Sequence, residues 1–134
     1  MADFTTYRVG LHNVGSYMVS GTPWITGSAT MAINTEEKIS FPFVTNHFTV
    51  INHTGQTIRV HFNSKDTATV LTGFHFVELD SDNSSHRFDV KCKEVYISCA
   101  NDGTTRQFRV VASLTQIPAA AMFEISGDGL TDAP

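Results

Sequence analysis

The chain of 134 residues holds six histidines, and three of them, His47, His53 and His61, fall in strand-like stretches. Imidazole is a common metal ligand and the side chain that titrates nearest neutral pH. By parity His47 and His53 share one strand face. A tight turn at Thr54-Gly55-Gln56 would bring Arg59 and His61 onto the same side of the facing strand. Zinc needs three or four converging ligands with supporting partners behind them. Here an arginine sits inside the cluster, and neither H-x-H nor H-E-x-x-H spacing occurs. The pattern favours a polar outer sheet face, or a subunit contact that responds to pH. No metal and no cofactor are expected.

The other chemistry-bearing residues are equally scattered. No G-x-S-x-G elbow is present, and nothing pairs Cys92 or Cys99 with a base. The two cysteines match no zinc or redox spacing. They read as small semi-buried side chains, with a bridge across a hairpin as the lesser alternative. Glu36-Glu37 beside Lys38 reads as a solvated charge cluster. Asp80 and Asp82 stand in a loop of Asp, Ser and Asn, but the calcium-loop pattern with its distal Glu is missing. Gly21-Thr22-Pro23 and Gly127-Asp128-Gly129 read as turns rather than phosphate cradles. No enzymatic activity is expected.

The elements that position these residues have a period of two. Phe48, Val50 and Asn52 alternate with His47, Thr49, Ile51 and His53. Ile58, Val60 and Phe62 alternate with Arg59, His61 and Asn63. The same rhythm runs through Phe88–Val90, Val95–Cys99 and Phe108–Leu114. Each stretch places β-branched and aromatic side chains on one face, as a half-buried strand requires. Turn residues fill the breaks at 54–56, 80–85 and 101–104, where Asn and Gly accept positive φ. The expected fold is all-β: an antiparallel β-sandwich (Ig-like or jelly-roll-like) built from successive hairpins. Closure into a small barrel is the main alternative.

The two ends differ from this middle. Residues 1–30 are rich in Gly, Ser and Thr and carry large anchors, and they are expected to form an extended N-terminal arm. The alternative is an edge strand and loops folded onto the domain's own sandwich. Residues 31–126 would form the sandwich and 127–134 a tail. Pro118 and the alanines after it predict one short C-terminal helical turn. Large aromatic and apolar side chains outside a core often anchor interfaces. The candidate interface residues are Tyr7, Tyr17, Met18, Pro23, Trp24, Ile25 and Phe123. Sugar binding would also use Trp and Tyr platforms, for which one Trp is a thin basis.

Composition sets the outer bounds. Hydrophobic residues make up 41% and charged residues only 16%, so much of the surface is neutral and polar. A formal charge of −4 and a pI near 5.8 argue against a nucleic-acid footprint. No apolar run approaches the roughly 18 residues of a membrane span, so no membrane partner is expected. The first residues show no basic stretch followed by an apolar one, which predicts synthesis in a reducing cytosol.

Three stretches carry a resemblance. The first runs from Tyr7-Arg8-Val9-Gly10-Leu11 through Ser20-Gly21-Thr22-Pro23-Trp24-Ile25-Thr26-Gly27. The second is Phe88-Asp89-Val90-Lys91-Cys92-Lys93-Glu94-Val95-Tyr96-Ile97-Ser98. The third joins Leu114-Thr115-Gln116-Ile117-Pro118 to Met122-Phe123-Glu124-Ile125-Ser126-Gly127-Asp128-Gly129-Leu130-Thr131-Asp132. Together they resemble small virion structural proteins of tailed bacteriophages, especially those of marine and cyanobacterial hosts. The resemblance implies a head-decoration, or cement, role on the capsid surface, with a fibre, tail or collar component as the alternative. It implies the major capsid protein as partner and self-association, a trimer by preference. It supplies no catalytic residue.

Overall fold

The structure is a computed structural model and describes residues 21–66, 70–100, 105–127 and 129–130. The alternating stretches become eight strands. They are β1 (Thr22–Met31), β2 (Glu36–Ser40), β3 (Phe43–Asn52), β4 (Ile58–His61), β5 (Val77–Leu79), β6 (Ser85–Phe88), β7 (Glu94–Ser98) and β8 (Arg106–Pro118). A short 3₁₀ turn, Ala119–Ala121, follows Pro118 and is the expected C-terminal helical turn.

Two antiparallel four-stranded sheets result, ordered β1-β8-β3-β6 and β2-β7-β4-β5. The pairings β1 with β8, β2 with β7, β3 with β6 and β4 with β5 are those of one long hairpin. Rolling that hairpin brings β8 beside β3 and β7 beside β4. This strand order is the jelly roll of the two architectures expected.

The connections differ from the successive hairpins expected. Only β4 and β5 are neighbours both in sequence and within one sheet. The turn after Asn52 carries the chain from one sheet to the other, as do the breaks after Leu79 and Ser98. Turn residues reverse the chain, but they do not decide whether it reverses within a sheet or across the core.

The inner faces follow the parity of the sequence. Phe48, Val50, Ile58, Val60, Val95, Ile97, Phe108, Val110, Ala112 and Leu114 are all buried. An aromatic chain runs through them. Trp24 meets Phe41 edge-on at 5.1 Å, Phe41 meets Phe48 at 5.5 Å, and Phe48 stacks on Phe88 at 4.9 Å. Such pairs add about 0.5–1.5 kcal/mol each beyond the area they bury. Register irregularities in β3 between Phe43 and His47 break the alternation there, so Val44 and Thr45 are both buried. Val44 packs with Ile117 and Met122 in a second small cluster.

The expected division at residue 30 is not a structural boundary. β1 crosses it and pairs with β8 from Thr22 to Met31. Residues 22–31 are thus an edge strand of the sandwich, because Trp24 and Met31 contribute to its core. Gly27 lies so close to β8 that an added Cβ would stand 2.4 Å from the Phe108 carbonyl oxygen. The tail also touches the body, since the Leu130 carbonyl accepts a 3.3 Å hydrogen bond from His75 Nδ1.

Asn52 holds the corner where β3 ends. It is fully buried, and its Nδ2 donates to the Gln56 carbonyl at 2.7 Å and the Leu79 carbonyl at 2.9 Å. Its Oδ1 accepts from the Thr54 amide and hydroxyl, both at 2.9 Å. Its backbone N–H donates to Ser84, and its carbonyl accepts from Asn83. One side chain thus joins the turn after β3 to the end of β5. Asn52→Ala removes the buried bond to the Leu79 carbonyl and three further bonds that hold the turn, so urea denaturation should show a loss of about 2–4 kcal/mol. Deletion of residues 1–28 removes most of β1 together with Trp24. It should lower the thermal midpoint sharply rather than leave a folded sheet domain, as circular dichroism on heating would show.

Candidate functional site

The sandwich presents two outer faces of different chemistry. Across sheet β1-β8-β3-β6 the register sets up three rows: Pro23–Ser113–His47, Ile25–Val111–Thr49–Arg87, and Gly27–Arg109–Ile51–Ser85. Most of these side chains are apolar or neutral. Ile25 is 64% exposed among them; Pro23, Gly27, Ser85, Arg87 and Arg109 are exposed as well, and the remaining side chains are half-buried. Arg87 is balanced by Asp89 at 2.8 Å.

The predicted interface residues divide on this frame. Pro23 and Ile25 stand on the outer face of β1. Trp24, between them, points the opposite way and packs on Phe41, because strand neighbours alternate. Trp24 is therefore a core residue at the sheet edge rather than a free anchor. Phe123 is 61% exposed after the 3₁₀ turn, at the end of the sheet where β8 finishes and β3 begins. Phe43 is 41% exposed at that same end and was not anticipated, because its alternation is broken by the β3 irregularities. Tyr7, Tyr17 and Met18 lie outside the described residues.

Sheet β2-β7-β4-β5 has a charged and aromatic outer face. One row is Glu36–Ser98–Arg59–Glu78 and the next is Lys38–Tyr96–His61. Lys38 Nζ lies 2.9 Å from Glu94, and that hydrogen bond raises its pKa. Arg59 pairs with Glu78 at 3.8 Å and sits 5.2 Å from the Phe76 ring centroid. Next to Phe76 stands Phe74, 80% exposed with φ of 58°, an uncommon backbone state for a bulky residue.

His61 is the one histidine of this face and is fully buried. Its Nδ1 donates to the Asn63 carbonyl, which can only accept. Nε2 therefore accepts from the Ser98 hydroxyl at 2.7 Å. The ring stacks parallel on Tyr96 at 6.0 Å. Burial lowers the His61 pKa below its usual value of 6.5. Although a Ser–His pair is the start of nucleophilic chemistry, Ser98 is 1% exposed and its hydroxyl is used inward.

The expected grouping of His47, His53, Arg59 and His61 does not form. β3 and β4 lie in opposite sheets, so Arg59 and His61 face away from His47. Among the described residues no three His, Cys, Asp or Glu side chains come together as a metal site would need. Cys92 and Cys99 are free and buried. The Cys99 thiol donates to the Ala32 carbonyl at 3.2 Å, and Cys92 lies against Thr45. Burial pushes the Cys92 thiol up to about 11.

Cavities lined by the described residues include three of different chemistry. An open polar one of about 500 Å³ lies between β1, β8, His53 and the β5–β6 turn. A second of about 280 Å³ lies under the Lys93–Glu124 ion pair, with Lys38 and Glu94 beside it. A third of about 240 Å³ is apolar and lined by Phe62, Val90, Cys92, Ile125 and Leu130. No family model, curated protein or solved structure matches the chain.

Two outcomes follow from the buried titratable groups. The His61 pKa is lower in the folded state, so below about pH 6.5 the unfolded chain takes up a proton that the folded chain refuses. Stability should fall as pH drops through that window, with a slope of up to about 1.4 kcal/mol per pH unit. His61→Gln should flatten the curve relative to the parent, as urea titrations between pH 7.5 and 5 would measure. At pH 8 the Cys92 thiol should react with iodoacetamide far more slowly in the native protein than in urea.

Proposed function

We propose that the protein is a non-catalytic virion subunit of a tailed phage. In this reading it is a decoration, or cement, protein that associates with copies of itself and binds the outside of the capsid lattice. The observation that carries the reading is the outer face of sheet β1-β8-β3-β6. It is a stiff, largely neutral surface with Ile25 64% exposed near its edge, backed by a packed core. Burying an isoleucine of this kind stabilises a contact by about 1.5–3 kcal/mol. The resemblance of the chain to small phage virion proteins points the same way. Eight-stranded jelly rolls serve in capsid subunits and in lectins, so the architecture is compatible with a lattice role without implying one.

The mechanism asks little of each copy. A closed oligomer, with a trimer preferred, presents its docking face several times to neighbouring capsid subunits. Weak single contacts then add through effective concentration. Bridging adjacent subunits opposes their separation. The second reading, a fibre, tail or collar component that binds a host receptor or glycan, is favoured by the polar cavity at the corner of the sheet.

Ile25→Asp separates the docking role from stability. Its side chain is exposed, so the only stability cost is that of a poor strand former in β1, and the thermal midpoint should fall by no more than about 8 °C. Self-association in sedimentation velocity, and co-sedimentation with phage heads assembled without the protein, should weaken at least about tenfold. A variant that assembles and binds heads like the parent would remove this face from the reading. A parent that binds no heads at any concentration would end the decoration role.

A further inference from the structure

At one end of sheet β1-β8-β3-β6, a cavity of about 500 Å³ opens between four segments that are distant in sequence. Its walls are Gly27–Ala29 of β1, His53 at the end of β3, Asp82 and Asn83 of the β5–β6 turn, and Gln107–Arg109 of β8. The volume lies within the usual range for small-ligand sites, about 300–1,000 Å³.

The backbone around it is fixed in the free protein. The His53 N–H donates to the Gln107 carbonyl at 2.8 Å, and the Asn83 N–H donates to the Asn52 carbonyl at 2.7 Å. Asn83 holds the left-handed φ of 65° that its turn requires, a state asparagine tolerates better than most residues. Walls set in advance spare a ligand the entropy of ordering them.

The side chains, by contrast, are left without partners. Asp82, Gln107 and Arg109 are exposed, and their side chains make no hydrogen bond or ion pair with the described residues. His53 Nε2 is buried without a protein hydrogen-bond partner. Elsewhere among the described residues four ion pairs form, at Lys38–Glu94, Arg59–Glu78, Arg87–Asp89 and Lys93–Glu124. In this cavity alone among those described, an unpaired cation and an unpaired carboxylate line the same space, on different walls, together with unpaired side-chain amides.

That mixture selects a ligand class. A simple anion would meet Arg109 but face Asp82, and a simple cation would meet Asp82 but face Arg109. A fitting ligand carries a carboxylate at one point and hydroxyl donors at another. An apolar amino acid would match both charges but needs an apolar wall for its side chain, and a small polar one would leave most of the roughly 500 Å³ unfilled. Phe108 is only 3% exposed, and the other lining side chains are small or polar. We propose that the cavity is a binding site for an acidic sugar. Arg109 takes the sugar carboxylate, Asp82 accepts from ring hydroxyls, and Gln107 and Asn83 supply further hydrogen bonds. The site shares Gly27 and Arg109 with the rim of the docking face but does not rest on the docking reading, and its test needs no capsid.

The test is a titration of the full ¹⁵N-labelled chain, followed by amide chemical shifts, with glucuronate, glucose and acetate as probes. Glucuronate should give saturable shifts confined to residues 27–29, 53, 82–83 and 107–109, with a millimolar affinity. Arg109→Gln and Asp82→Asn should each weaken it about tenfold, the loss of one charge-assisted hydrogen bond. Both side chains are exposed, and an otherwise unchanged spectrum will verify that each variant folds. Glucose should bind the parent about as weakly as glucuronate binds Arg109→Gln, and acetate should give no saturable shift. The proposal fails if glucuronate gives no saturable shift by about 50 mM, or if its shifts fall elsewhere. It fails equally if acetate matches glucuronate, or if either variant binds like the parent.

Discussion

β8 lies between β1 and β3, paired with β1 from Arg106 to Leu114 and with β3 from Phe108 to Pro118. Its partners begin at residues 22 and 43, far back in the chain, so neither pairing closes through a short turn. Until β8 is in place, β1 has no sheet to join. The core residues Phe108, Val110, Ala112 and Leu114 on its inner face then have nothing to pack against. A fold of this kind depends on non-local contacts, whose loop-closure entropy must be met before burial rewards it. The close approach at Gly27 and the aromatic chain from Trp24 to Phe88 are consequences of that placement.

Strand parity was legible because it is local. Whether Val60 or Arg59 faces inward follows from three or four neighbours, and the inner faces of β3, β4, β7 and β8 were readable in that way. Sheet membership is not local. Thr54-Gly55-Gln56 carries the same turn chemistry in a hairpin and in a corner, and here it is a corner. The histidine grouping dissolved for that reason, since it required β3 and β4 to share a sheet. Trp24 was likewise legible as large and apolar, but its direction became readable only once Thr22–Met31 was known to be a strand. The polar cavity had no sequence signal at all. Its residues belong to four segments, and no spacing rule connects Gly27, His53, Asp82 and Arg109.

Several polar groups inside the sandwich had even less signal. Arg106 is fully buried at the start of β8, and its Nε donates to the Thr57 carbonyl at 3.1 Å. Thr45 donates to the Val90 carbonyl and accepts from the Cys92 N–H. His61 uses both ring nitrogens. Arg106 and Thr45 meet backbone groups of the β3–β4 and β6–β7 connections, which pass from sheet to sheet, whereas His61 on the outer face meets the Asn63 carbonyl within its own sheet's connection and the Ser98 hydroxyl. An apolar side chain at those points would leave the same carbonyls or amides dry and unpaired. The polar interior is thus the counterpart of the jelly-roll connections, and Asn52 is its fullest case, with four side-chain hydrogen bonds at one corner.

The difference between the two outer faces bears on how such a body would pack. Face β2-β7-β4-β5 satisfies its charges internally through Lys38–Glu94 and Arg59–Glu78, and it is roofed where His61 and Ser98 are buried. It offers a neighbour few free groups. Face β1-β8-β3-β6 has rows of Pro, Ile, Val, Thr and Ser interrupted by His47, Arg87 and Arg109, and the part around Ile25 loses its water at little cost. Under the proposed role only this second face docks, so the subunit is polar in the geometric sense, with an inward and an outward side. The acidic-sugar cavity sits at the rim of that face, where Gly27 and Arg109 belong to both. A partner covering the whole face would close the cavity, whereas a partner seated around Ile25 would leave it open. Docking and sugar binding would then compete or coexist according to how far the contact extends from Ile25 toward Arg109.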